Sequence, residues 1–269
     1  MKNACFVIPI HPPKFKFGIH CLMSYSKYYD DDHIYLVFSS AEDHAAFERI
    51  ALGLRYRAII CPPLVSKSPT TEKKFSGMKH VFDTTDFEYI AAIDVDSEFT
   101  KQVDYADLFD KFYQQGTLYG NKYDFSPFPI LEAPLKFFTN SEAIKIHSFT
   151  EGFRAYFWFN DISVYRRNDF LDFLNYIDYN RNAHKLTWFD FDYIIYAYYM
   201  IIRNKFRIKP ILINGKPLNR HFIEDQKDMD PEEFKQAFEQ VKPMWVRKDI
   251  NSPEMSRTFM NVHVDRRWY

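Results

Sequence analysis

The first hundred residues alternate between short unbroken apolar runs and segments whose apolar positions recur with helical spacing. Residues 4-ACFVIPI-10 form the first run, stopped by His11-Pro12-Pro13. A helical pattern from Gly18 to about Tyr29 follows, then the run 33-HIYLVFS-39. Ser40 has the chemistry of a helix cap, with Asp43 three positions on and an apolar face to about Leu52. The run 56-YRAIIC-61 follows, then a helix expected to be capped by Thr70 or Thr71, and then 88-EYIAAID-94. Strands buried on both faces read as continuous apolar runs, and strands that alternate with helices imply a parallel sheet. The right-handed crossover rule narrows this to a doubly wound, mostly parallel α/β sheet with helices on both faces. Ligands of such sheets gather at the carboxyl ends of the strands. His11, Ser39, Ser40, Pro62 and Asp94 to Asp96 are expected on that edge.

Beyond Asp96 the alternation loosens. Helical spacing predicts helices over 104–115, 136–149, 168–180, 187–203 and 231–242. Strand patterns fall at Thr117 to Tyr119, in 157-FWFNDISVYR-166 and in 206-FRIKPILIN-213. The segment 120–134, with three prolines, a glycine and an aspartate, reads as a loop. No internal repeat and no linker divides the chain. It is read as one domain over 1–269, with residues 101–269 elaborating the sheet built by 1–100.

Composition changes this picture little. A hydrophobic fraction of 46% in 269 residues suffices for one large core. The formal net charge of −1 gives no broad basic footprint, so no nucleic-acid partner is expected. Cys5, Cys21 and Cys61 have no metal-ligand spacing, and their odd, sparse count suits a reducing compartment. The start MKNACFVIPIHPP lacks the form of a signal peptide. The longest apolar stretch, 193-YIIYAYYMII-202, is about half a membrane span. A cytoplasmic protein without a transmembrane segment is expected, with contact at a membrane surface left open. Phe and Tyr, at 28 and 19 residues, are spread over the whole chain and read chiefly as core.

Four Asp-x-Asp spacings occur: Asp30/Asp32, Asp94/Asp96, Asp190/Asp192 and Asp228/Asp230. The first reads as a solvated turn and the last as a helix start before Pro231. Asp94/Asp96 differs because its strand closes an alternating series. Two neighbouring carboxylates repel, and a divalent cation shared with a polyanion relieves that cost. Mn²⁺ or Mg²⁺ suits such oxygen ligands, and it would neutralise a departing diphosphate.

The opening strand Phe6-Val7-Ile8-Pro9-Ile10 and the motif strand 90-IAAIDVD-96 together resemble the GT-A-type glycosyltransferases, over about the first hundred residues. The resemblance implies one GT-A-like domain, whose residues 1–100 hold the nucleotide and whose residues 101–269 hold the acceptor and a C-terminal tail. It implies transfer of sugar from a nucleotide-diphosphate donor to a glycan or lipid-linked glycan, as in surface-polysaccharide synthesis. Asp96 would ligate the metal directly, and Asp94 would meet the ribose or the metal's water shell. Pro9, Ile10, His11 and Val95 would border the nucleotide. Lys79 is the third lysine of the helix before the motif strand and joins that set, whereas Lys73 and Lys74 read as a solvated helix face. His263, in 261-NVHVDRR-267, is the candidate third metal ligand, with His221 its rival.

An inverting transfer needs a carboxylate to take the acceptor's proton. Asp190, with Asp192 as alternate, is the candidate, at the start of the apolar helix in 187-TWFDFDYIIYAYYM-200. A single cap cannot account for both. Trp158, Asp161 and Trp188 are candidate acceptor contacts. A sugar nucleotidyltransferase would carry a glycine-rich loop after the first strand, where this chain has HPPKFKFG. No GxGxxG, GKS/T or GxSxG occurs, which disfavours Rossmann, P-loop and hydrolase readings. A non-catalytic carbohydrate- or nucleotide-binding protein is the remaining alternative.

Overall fold

The computed structural model describes residues 3–30, 32–99, 115–118, 131–151, 163–205, 207–210, 212–213, 216–217 and 246–248. The four apolar runs form β1 (Ala4–Pro9), β2 (Ile34–Phe38), β3 (Arg57–Ile60) and β4 (Tyr89–Ala92). Between them lie α1 (Phe15–Tyr25), α2 (Ala41–Glu48) and α3 (Pro69–Thr84). Further on come β5 (Ser97–Phe99), β6 (Gln115–Leu118), α4 (Asn140–Glu151), β7 (Ser163–Arg166), α5 (Arg167–Tyr176), α6 (Tyr179–Asn182) and α7 (Asp192–Ile202). The short strands β8 (Arg207–Pro210), β9 (Leu212–Ile213), β10 (Lys216–Pro217) and β11 (Val246–Lys248) follow, and 3-10 turns lie at Ala133–Phe137 and Ala183–Lys185.

The main sheet has the order β3-β2-β1-β4-β7. β1 to β4 are parallel, and β7 is antiparallel to β4, with Ala91 opposite Val164. The chain moves outward from β1 to β3, then returns to place β4 on the other side of β1. That reversal opens a crevice between the carboxyl ends of β1 and β4, where an α/β sheet binds ligands.

Side chains alternate across β1. Ala4, Phe6 and Ile8 enter a core under α1 and α2, and Cys5 and Val7 enter a second core under α3, α5 and α7. The expected doubly wound arrangement is therefore present. α7 is buried all round, because Ile194, Ala197, Tyr198 and Ile201 meet α4 while Ile195, Tyr196 and Tyr199 face the sheet-side core. The aromatic residues do go largely into packing. Phe99 meets Phe6 edge-on at 4.9 Å and Tyr25 at 5.2 Å.

Several local expectations are corrected. α1 begins earlier and ends earlier than Gly18–Tyr29, after a single 3-10 turn at Pro12–Lys14. α3 starts at Pro69 rather than after a threonine cap, because Thr71 instead donates its hydroxyl to the Asp190 carbonyl at 2.7 Å. The helix expected over 168–180 is broken at Asp178, which takes a left-handed φ of 46° and starts α6. Such a conformation is tolerated best by Gly, Asn and Asp. Ser40 does cap α2, accepting from the Asp43 amide at 3.1 Å. The helix expected over 231–242 and most of that over 104–115 lie outside the described residues.

Candidate active site

The turn after β4 carries its two aspartates at the carboxyl edge of the sheet. The ladder continues one residue past β4, as the Ile93 amide donates to the Val7 carbonyl at 3.1 Å. The Ser97 amide then closes a turn on the Asp94 carbonyl at 3.1 Å. Val95 is buried in the core beneath α1, while Asp94 and Asp96 on either side remain partly exposed. Beyond the turn the Phe99 amide donates to Ser24 Oγ at 2.9 Å, and its ring is clamped by Phe6 and Tyr25. One buried valine and one anchored phenylalanine therefore hold the backbone of the turn that carries both carboxylates.

Lysines meet this turn from two elements. Lys74 of α3 places Nζ 3.1 Å from Asp94 Oδ1 and 3.0 Å from Asp192 Oδ1. Tyr165 of β7 donates its hydroxyl to the other oxygen of Asp192 at 2.6 Å. From the β1 loop, Lys14 Nζ lies 3.9 Å from Asp96 Oδ2. The Lys14 amide closes the 3-10 turn on the His11 carbonyl, which carries the lysine back toward the edge. Lys73 donates from Nζ to the Ile10 carbonyl at 2.6 Å. Lys73 and Lys74 are 3% and 6% exposed, so the expectation of a solvated face is overturned for both. Burial lowers the pKa of Lys73, with Cys61 and Asp43 acting against that shift. Burial and the charges of Lys73 and Lys14 also hold His11 below the usual imidazole pKa.

Asp190 and Asp192 lie close together at the entrance to α7, at 1% and 2% exposure. Asp190 Oδ2 accepts from the Thr187 amide at 2.6 Å, from the Thr187 hydroxyl at 2.7 Å and from Lys136. Its Oδ1 is buried with no hydrogen-bond partner among the described residues. Asp192 occupies the first turn of α7, where the helix dipole favours a carboxylate.

Of the expected site residues, the structure gathers Ile10, His11, Asp94, Asp96 and Asp192 at one edge, with Pro9 ending β1 just behind. Val95 sits between the aspartates with its side chain in the core, so any ligand contact it makes is through its backbone. Lys79 is exposed, and its ammonium pairs with Asp83 one turn further along α3. Trp188 is exposed just before Asp190. Trp158, Asp161 and His263 lie outside the described residues. Lys73, Lys74 and Tyr165 were not chosen from the sequence as site residues. The partners that draw them in are 63, 118 and 27 residues away along the chain.

The donor set fits a divalent ion in part. Two carboxylates on one turn supply the hard oxygen ligands that Mg²⁺ and Mn²⁺ take beside phosphate oxygens. Among the described residues no group of three or more His, Cys, Asp or Glu side chains is placed to hold a metal.

Paired carboxylates and lysines thus lie at the strand-order reversal of an open α/β sheet, the edge where such sheets bind ligands. No family model matches the chain, and no curated protein matches it. Among solved structures it is similar to core-mannan synthase A from Aspergillus fumigatus in an Mn/GDP form. That likeness has 10% identity and a TM-score of 0.43, and covers 77% of this chain and 73% of the other. It is also similar to mouse xyloside xylosyltransferase 1 in an apo form. Here the identity is 10% and the TM-score 0.44, with 93% of this chain and 99% of the other covered. At this identity and these scores the likeness carries no residue assignments.

Proposed function

We propose that the chain is a metal-dependent glycosyltransferase that moves a sugar from a nucleotide-diphosphate donor to a glycan or lipid-linked glycan. The observation that carries this reading is the tethered turn that sets Asp94 and Asp96 on the crevice between β1 and β4, with Val95 buried between them. Bound by these carboxylates, Mn²⁺ or Mg²⁺ would supply Lewis-acid stabilisation of the departing diphosphate. His263 is the proposed third ligand.

The chain's own groups suit a diphosphate. Lys14 and Lys74 place two ammonium groups beside the aspartates, and Lys73 sets a third against Ile10. Positive charge at such a crevice attracts and orients a polyanion. His11, with its depressed pKa, is a neutral hydrogen-bonding group near pH 7 and can border the base beside Pro9 and Ile10. Asp192 acts in this reading as a positioning residue, which holds Lys74 against Asp94. Among the described residues one oxygen of Asp190 has no hydrogen-bond partner, and Asp190 is the carboxylate proposed to meet a sugar hydroxyl or take its proton. Trp158, Asp161 and Trp188 are proposed acceptor contacts, and surface-polysaccharide synthesis in the cytoplasm is the proposed setting.

The test is release of nucleoside diphosphate from a panel of UDP-, GDP- and dTDP-sugars in the presence of Mn²⁺. One donor should be turned over by the wild type. Asp96→Ala should lose that turnover about 100-fold or more, as expected when a main electrostatic contribution is removed. Turnover that survives in Asp96→Ala would overturn the assignment.

A further inference from the structure

Two loops at the carboxyl end of the sheet carry apolar side chains that are in part exposed to solvent. Val65, in the connection from β3 to α3, is 61% exposed, and Trp188 and Phe189, before α7, are 60% and 45% exposed. The loops run side by side. The Lys67 amide donates to the Leu186 carbonyl at 3.1 Å, and Thr71 ties to the Asp190 carbonyl at 2.7 Å. Neither loop is slack. The buried carboxylate of Glu72 accepts from the Val65 and Ser66 amides at 2.9 and 2.8 Å, and Leu64 and Leu186 pack against the core. These apolar groups are therefore presented by a braced surface.

Within the two stretches themselves the charged side chains are of one sign, with Glu72, Asp178 and Asp190 at their borders. Residues 61–71 and 179–189 contain no Asp or Glu, and their charged side chains are Lys67, Arg181 and Lys185, with His184 beside them. Lys67, His184 and Lys185 are exposed, and Arg181 pairs with Asp178 at 3.6 Å. This segregation stands out in a chain whose net charge is −1. An exposed tryptophan and phenylalanine rimmed by lysines have the composition of a surface that lies in a lipid headgroup layer. Each lysine adds attraction to anionic lipid. Among the described residues no helix is long and apolar enough to cross a membrane.

We propose that the loops around Val65–Lys67 and His184–Phe189 dock the protein on an anionic bilayer. The second loop leads directly into Asp190 and Asp192. Docking there would bring the site to an acceptor held in the membrane, a consequence that rests on the transferase reading, whereas the docking itself does not.

The test is co-sedimentation of the full chain with vesicles of phosphatidylcholine and phosphatidylglycerol in equal parts, against vesicles of phosphatidylcholine alone. The wild type should bind the mixed vesicles about tenfold or more tightly, and lose that binding as salt rises. Val65→Asp combined with Lys185→Glu should weaken binding about tenfold or more, with an unchanged melting temperature because both side chains are exposed. Asp94→Asn/Asp96→Asn should bind like the wild type, which separates failure of this surface from failure of the active-site reading. No binding, equal binding to both vesicle types, or full binding by Val65→Asp/Lys185→Glu would overturn the proposal. So would a dimer in solution that the double variant dissolves while vesicles bind neither protein.

Discussion

Lys74 faces two carboxylates with one ammonium, at 3.1 Å from Asp94 and 3.0 Å from Asp192. Taking such charges out of water is costly, and removing one partner leaves the other buried and uncompensated. Lys74→Ala should therefore lose about 3–5 kcal/mol of unfolding free energy in urea. A loss below about 1 kcal/mol would mean that the pair is solvated like a surface salt bridge. His11 gives a pH signature. Its folded pKa lies below the unfolded value, so between the two the unfolded chain binds more protons and stability rises with pH. That stability is lost as pH falls through about 6.5 toward the folded value. The urea midpoint of the wild type should fall further between about pH 7.5 and about pH 5.5 than that of His11→Gln. Equal falls would show that His11 is not held neutral by burial and the two lysines.

At the scale of elements, α3 links sheet and site. It packs on β1 and β2 through Gly77, where an added Cβ would lie 2.5 Å from Val37 Cγ2 and 3.2 Å from Val7 Cγ1. Alanine would gain up to about 1 kcal/mol in helix propensity. The short, stiff valines give little room, and overpacking costs about 1–3 kcal/mol. Gly77→Ala should therefore be destabilised by about 1 kcal/mol in urea, and should bind nucleotide less well because the shift moves Lys73 and Lys74. Unchanged stability and binding would show that the sheet relaxes freely. β1, β2 and β4 were legible in the sequence because strands buried on both faces must be apolar throughout, and β3, an edge strand with Ile59 buried and Ile60 exposed, was legible from the alternation around it. The lysines of α3 were not. Lys73 and Lys74 precede Phe75 and Met78 on a helix whose spacing leaves room for a polar stripe, and the groups that bury them belong to other elements. Breaks such as Asp178 were hidden for a similar reason, since the apolar period runs through 168–180 while the backbone turns within it.

At the scale of the molecule, the strand order β3-β2-β1-β4-β7 makes the site. β–α alternation predicted a doubly wound sheet, and the carboxyl-edge rule then selected Asp94/Asp96 over the three other Asp-x-Asp spacings. Sequence spacing did not reveal that β7 closes beside β4 and carries Tyr165 to Asp192, because that contact depends on an antiparallel strand from the second half of the chain. The central claim is that Asp94 and Asp96 hold a divalent ion that a nucleoside diphosphate shares. The most direct measurement is the thermal shift of the wild type and of Asp96→Ala with UDP, GDP, CMP and dTDP, each with and without Mn²⁺. Ligand at about 100 times its Kd stabilises a fold by about 2.7 kcal/mol, a readily measured rise in melting temperature. The wild type should show that rise with one nucleotide only when Mn²⁺ is present, and Asp96→Ala should lose it. No shift with any nucleotide, or the same Mn²⁺-dependent shift in Asp96→Ala, would contradict the account.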